Sequence, residues 1–227
     1  MRMFMGEAYF RDREEAGARL AARLDRYRGE DALILGIPRG GVPVAAEVAR
    51  RLDAELDVIV ARKVGAPFSQ ELAIGAVTAN GGQYLDDEAI RALRIPVSYL
   101  AEAIGTETAE ARRREQRFRS GRPHPRMKDR IVIIVDDGLA TGATMRAAVL
   151  SVRTEQPTRV VVAAPVGAPS SCAALREVAD EVVCVAEPEP FYAVGLYYER
   201  FAPTRDADVQ QLLLEARGRR QLARQAG

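Results

Sequence analysis

Cysteine, net charge and long apolar runs are all scarce in this chain. Cys172 and Cys184 are its only two cysteines, one in a helix-like segment (SSCAALREVA) and one in an apolar strand (EVVCVA). Their spacing fits no metal motif and offers no second pair, which excludes a disulfide framework and leaves two ordinary buried thiols. Net charge is only +1, so there is no global electrostatic pull toward nucleic acid or an anionic membrane, and any anion site must be local. No run approaches the ~18 apolar residues of a membrane span, and the opening stretch MRMFMGEAYFRDREEAG lacks the apolar core of a signal peptide. A cytoplasmic, reducing setting is expected. Lysine occurs only at Lys63 and Lys128, arginine carrying the remaining positive charge, which says nothing about function. Neither a Walker A loop nor a GxGxxG turn occurs, which weakens nucleoside-triphosphate and NAD readings.

What is present is a 227-residue chain, 48% hydrophobic with interspersed charge, enough for one well-filled core with an appended lobe. Residues 12–28 carry Ala16, Leu20, Leu24 and Tyr27 at helical spacing, with Gly29 as a stop. Short, continuously apolar strands are predicted at 32–36, 56–62, 131–137, 160–166 and 181–186, alternating with helices near 42–52, 142–155 and 170–179. That alternation predicts an α/β fold, a doubly wound parallel sheet covered on both faces, whose ligands sit at the strand C-termini. Residues 1–65 and 126–186 form this core. Residues 66–125 read as an inserted α+β arm or small lobe, with a hairpin turning at NGG and then a charged helix. Residues 187–227 form a C-terminal appendage with a helix from about Thr204.

Three strand exits carry unusual chemistry. Ala140, Thr141, Gly142, Ala143 and Thr144 lie between a strand and a helix, where small residues let backbone N–H groups close around a phosphate and two hydroxyls add donors. Just before them, Asp136 and Asp137 are acceptor-only groups suited to neighbouring hydroxyls or to water on a divalent cation. A phosphate beside a vicinal diol describes a ribose 5-phosphate. The loop IPRGGVP (37–43) adds Arg39 with Gly40 and Gly41, and ARKVG adds Arg62 and Lys63 as further anion contacts.

In these segments the chain resembles the type I phosphoribosyltransferases. IVIIVDDGLATGATMRAAV resembles their phosphoribosyl-diphosphate (PRPP) signature, ILGIPRGGVPVA their diphosphate loop, and RKVGAP followed by ELAIGAV the approach to their mobile catalytic arm. The match runs in order over most of residues 31–186. The resemblance implies a Mg²⁺-dependent transfer of a 5-phosphoribosyl group from PRPP to a nitrogenous base or related amine, releasing diphosphate. It implies that residues 140–144 bind the 5′-phosphate and that Asp136 and Asp137 hold the ribose hydroxyls. Arg39, Gly40, Gly41, Arg62 and Lys63 would hold the diphosphate and its metal. Asp136, Asp137, Lys63 and Arg39 are thus the expected catalytic set. Ala140 stands where the 6-oxopurine salvage enzymes carry an aspartate, which disfavours hypoxanthine or guanine as acceptor and sends the proton chemistry elsewhere. Family members are often dimers, so a homodimer is an expectation too.

The appendage gathers Phe191, Tyr192, Tyr197, Tyr198 and Phe201 within eleven residues. FYAVGLYYERF resembles the base-binding hood of the salvage enzymes, which would place Tyr192 and Ala193 near the base and Glu199 near the metal; plain core is the competing reading. Arg112, Arg113, Arg114, Arg117 and Arg119 read as a solvated helix face, with Glu110 and Glu115 interleaved, and nucleic acid is not expected there. His124, between two prolines, reads as loop. Two other activities use the same pocket: a non-catalytic PRPP or nucleotide sensor that binds nucleic acid, and a hydrolase of phosphoribosylated compounds.

Overall fold

Apolar residues at successive strand positions force a sheet with two dry faces, and the chain supplies helices for both. The computed structural model describes residues 9–226, apart from the side chains of residues 70, 71 and 223–226; the first eight residues of the stretch expected to carry no signal peptide lie outside it. Helix α1 spans Arg13–Arg23, started by Asp12, whose side chain accepts from the Glu15 N–H. It stops earlier than the 12–28 pattern suggests, because a separate 3-10 turn at Asp25–Tyr27 carries Tyr27 into the core. Strand β1 is Ala32–Gly36, α2 is Gly41–Leu52 and β2 is Glu55–Val58. After the insertion come β6 (Ile131–Val135), α5 (Ala143–Thr154), β7 (Arg159–Val166), α6 (Pro169–Arg176) and β8 (Glu181–Ala186).

These strands form one parallel five-stranded sheet in the order β2-β1-β6-β7-β8. Alternation along each strand sends Ile34, Ile133 and Val161 to one core with α1, α2 and the C-terminal helix α7 (Asp206–Ala226). Leu33, Leu35, Val132, Ile134 and Val162 go to the other, with α5 and α6. The expected doubly wound sheet is therefore present. Its connections reverse direction between β1 and β6, so IPRGG and DDGLATG leave the sheet side by side, the position where open parallel sheets bind ligands.

The predicted strand at 56–62 is a correction. It breaks at Ile59 and Val60, and the chain re-enters a different sheet as β3 (Ala61–Ala66), pairing antiparallel with β4 (Ser69–Thr78), which pairs with β5 (Gln83–Leu85). A continuous apolar run carries no signal of which sheet each half joins. Helices α3 (Asp87–Ala92) and α4 (Val97–Arg119) complete the inserted lobe, whose own small core holds Val64, Ile74, Val77 and Ile95.

The lobe is tied to the sheet by a buried ionic cluster. Arg119 donates to Asp57 at 2.9 Å, to Glu115 at 2.6 Å and to the Val58 carbonyl at 2.9 Å, while Glu115 accepts from the Val60 N–H. Arg119 and Glu115 are thus buried, not part of a solvated face. The other arginines are largely occupied too: Arg113 and Arg114 pair with Glu110, Arg112 donates to the Ala79 carbonyl, and Arg117 lies 3.3 Å from Asp206. No described helix is long and apolar enough to cross a membrane.

Candidate functional site

The site begins where two loops touch through glycine. A methyl group at Gly40 would collide with Asp137 Oδ2, and one at Gly41 would lie 2.7 Å from the Val135 carbonyl oxygen and 2.8 Å from Asp136 Cα. Only glycine permits this approach, so the IPRGG loop presses directly on the two aspartates. The Pro38–Arg39 peptide in the same loop is cis.

Asp136 and Asp137 occupy the exit of β6, half-buried. The Asp137 N–H donates to Asp136 Oδ1 at 2.8 Å. Arg13, from the start of α1, donates twice to Asp137 Oδ2, at 2.8 and 2.9 Å, and is held over the Phe201 ring at 3.9 Å. The Tyr198 hydroxyl donates to the Asp137 carbonyl at 2.6 Å. Desolvation, and then the neighbouring Asp137 charge, push the Asp136 carboxyl well above its ordinary range. Asp137 is also raised, again by desolvation, with Arg13 opposing it. Two acids this close, served by one arginine, make a site short of positive charge.

The following loop supplies donors. Among the described residues nothing accepts from the backbone N–H groups of Ala140 to Met145; the nearest bond, from Arg146 N–H to the Gly142 carbonyl, belongs to the next turn. Gly142 adopts a left-handed conformation (φ 71°) that starts α5, and its cap carries no side-chain hydrogen bond. An unpaired N–H row at a helix start attracts an anion. Ser171, from α6, holds the Ala140 carbonyl from behind.

Between these loops and the inserted lobe lies a cleft of about 360 Å³, lined by Pro38, Arg39, Arg62, Lys63, Glu107, Arg114 and Thr144 among others. Four cationic side chains therefore border one opening that Thr144, at the start of α5, also lines. Arg62 is paired with Glu107, and Arg39 lies 3.5 Å from Asp206. Lys63 is exposed and has no acidic partner among the described residues.

Set beside known proteins, residues 7–198 match the family described as the phosphoribosyl transferase domain. The chain belongs to the phosphoribosyl transferase family. Two Mycobacterium tuberculosis proteins, from strains H37Rv and CDC 1551 / Oshkosh, both carry the name "Putative phosphoribosyl transferase"; each is 44% identical over 204 residues, 90% of this chain and 46% of its own length. The chain thus spans about half the length of these curated relatives. The crystal structure of TT1426 from Thermus thermophilus is 47% identical, with a TM-score of 0.78 over 91% of this chain and 98% of that one.

For this family member, the structure places Arg39, Arg62, Lys63 and Thr144 on one cleft and presses Gly40 and Gly41 against Asp136 and Asp137. It does not bring in Glu199. Its side chain is exposed, its N–H is bonded to the Phe10 carbonyl, and the only described group of three metal-capable side chains with ligand atoms within 4.8 Å of one another is Cys172, Cys184 and Glu187. Glu199 follows the bridge between residues 10 and 198, with its N–H on the Phe10 carbonyl and its side chain toward solvent. The aromatic cluster is mostly core. Phe191 stacks on Tyr197 at 5.2 Å, Tyr198 meets Phe10 and Phe201, and only Tyr192, 76% exposed, keeps a free ring; Ala193 beside it is exposed. Val194 nonetheless packs on Gly138, where a Cβ would sit 2.5 Å from it, so the hood segment does reach the aspartate loop. His124 is a loop residue bonded to Asn80 and lies outside the cleft. Sequence reading missed Arg13 and Arg114: Arg13 lies 124 residues from its partner, and Arg114 was indistinguishable from its solvated neighbours.

Proposed function

We propose that this domain binds PRPP with Mg²⁺ and transfers its 5-phosphoribosyl group to a nitrogenous base or related amine, releasing diphosphate. The observation that supports this reading is a cleft whose cationic wall (Arg39, Arg62, Lys63, Arg114) is also lined by Thr144 from a loop with unpaired N–H groups, while Gly40 and Gly41, next to Arg39, press on Asp136 and Asp137. In this reading the N–H row and Thr141 and Thr144 hold the 5′-phosphate, Asp136 and Asp137 accept from the ribose hydroxyls, and the four cations take the leaving diphosphate.

The donor set fits magnesium arriving with the substrate. Two adjacent carboxylates without a third acid in their cluster match an ion that keeps its waters and is bound by one or two carboxylates plus substrate phosphates. Asp136 and Asp137 are the residues that would hold it, and when bound it would neutralise charge on the departing diphosphate. Departure leaves a cationic sugar, so carboxylates beside it lower the barrier, and closure of the inserted lobe over the cleft would exclude water. Ala140 offers no acid or base, so the acceptor's proton is handled by another group. The exposed Tyr192 ring, with Ala193, is the surface assigned to the acceptor.

The test mixes the full chain with PRPP, Mg²⁺ and a panel of bases and amines, following diphosphate release and separating nucleotide from free ribose 5-phosphate. Nucleotide formation is expected. Absence of PRPP binding at millimolar concentration would overturn the proposal, and ribose 5-phosphate as sole product would convert it to a hydrolase.

A further inference from the structure

Behind the loop that follows Asp137, two sulfurs packed in the core beneath α6 meet a carboxylate at its edge. Cys172, on α6, is fully buried; Cys184, on β8, and Glu187, just past that strand, are half-buried or at the surface edge of the same cluster. The sulfurs lie 3.4 Å apart, and the three ligand atoms all fall within 4.8 Å of one another. We propose that Cys172, Cys184 and Glu187 form a binding site for one soft divalent cation, zinc in the first instance, with water in the fourth position.

Donor type, spacing, charge and access each support it. Two thiolates and one carboxylate form a set selective for zinc over magnesium. A tetrahedral zinc ion with bonds of about 2.3 Å places its sulfurs about 3.8 Å apart, so the pair here must part by only a few tenths of an ångström. Gly167 leaves them that space on the backbone side, since a Cβ there would stand 2.5 Å from the Cys172 sulfur and 3.1 Å from that of Cys184. Arg176 donates to Glu187 Oε1 at 2.6 Å; it orients the carboxylate while leaving the second oxygen free. With both thiols ionised, a divalent ion and Arg176 together balance the three negative charges. The exposed Glu187 side gives the ion an entry path. Sequence spacing hid the site because the cysteines, 12 residues apart, sit on a helix and a strand.

A metal here would act on the loop in front of it. Ser171, next to Cys172, holds the Ala140 carbonyl, and Ser171 and Leu175 line the space beside Gly142. Joining α6 to β8 therefore stiffens the wall against which the phosphate loop rests.

The proposal does not depend on PRPP chemistry and is tested on the full chain, reduced with a phosphine that does not bind metal. Calorimetric titration with zinc, and cobalt(II) absorption for thiolate charge transfer, should both report one ion per chain. Cys172→Ser and Cys184→Ser should each weaken binding by about 100-fold or more, and Glu187→Gln by roughly 10-fold. Asp136→Asn with Asp137→Asn should leave zinc binding unchanged. The cobalt spectrum of the unaltered chain needs no variant to fold. Unchanged affinity in the cysteine variants, no thiolate charge transfer, or a disulfide forming in air while the reduced chain takes up no metal would each overturn the site.

Discussion

At the end of β2, Asp57 meets Arg119 from a distant helix; at the end of β6, Asp137 meets Arg13 in the same way. The first contact is closed. Arg119 bonds two carboxylates and a carbonyl, and each of those acids also receives a backbone N–H, so the cluster has its charges answered internally. The second is open: one arginine serves two acids, both carboxyls are held above their usual range, and an unpaired N–H row begins three residues on. The same residue types thus fasten a lobe in one place and leave charges incompletely paired in the other. What separates them is how completely the charges are paired.

The largest expected effect strikes the closed cluster. Arg119→Met strands two buried carboxylates and should cost about 3–5 kcal/mol in urea denaturation, with PRPP affinity of the folded fraction unchanged within about twofold. A loss below about 1 kcal/mol would mean the lobe is held by other contacts. At the open site, Asp136→Asn with Asp137→Asn should weaken PRPP binding on the order of 100-fold, or about 2.7 kcal/mol, with an unaltered circular dichroism spectrum; retained affinity would remove the assigned role. Arg13→Met should lower PRPP affinity roughly 10-fold by freeing Asp137 from its orienting partner, with little change in urea midpoint. Tyr192→Ala should raise acceptor KM by about 3–10-fold without a stability change, whereas Tyr197→Ala should lower Tm. If both behave alike, the exposed ring is not the stacking face.

The smallest effect is a pH slope. With folded-state carboxyls raised at Asp136 and Asp137, the folded chain holds more protons than the unfolded one between the ordinary carboxylate pKa and the raised values. This part of stability is present at low pH and is lost as pH rises through that window. Urea midpoints taken without Mg²⁺ or PRPP, from about pH 4 to 7, should show the double asparagine variant gaining on the unaltered chain as pH increases. Parallel curves would mean the pair is not desolvated in solution.

By itself the sequence determined the layers and the loops. Continuous apolar runs such as IVIIV encode strands buried on both faces, and DDGLATGAT and IPRGG carry their chemistry in adjacent residues, so the small-residue loop with unpaired N–H groups and the aspartates before it were legible from local pattern alone. Tertiary structure decided which loops meet and which charges are answered. The break at Ile59 and Val60, the burial of Arg119, the pairing of Arg13 with Asp137, the turn of Glu199 toward solvent and the meeting of Cys172 with Cys184 all depend on contacts between residues far apart in the chain. Periodicity reports which side of an element is apolar, not what that side will face; partners of charged and sulfur-bearing groups are set only once the elements pack.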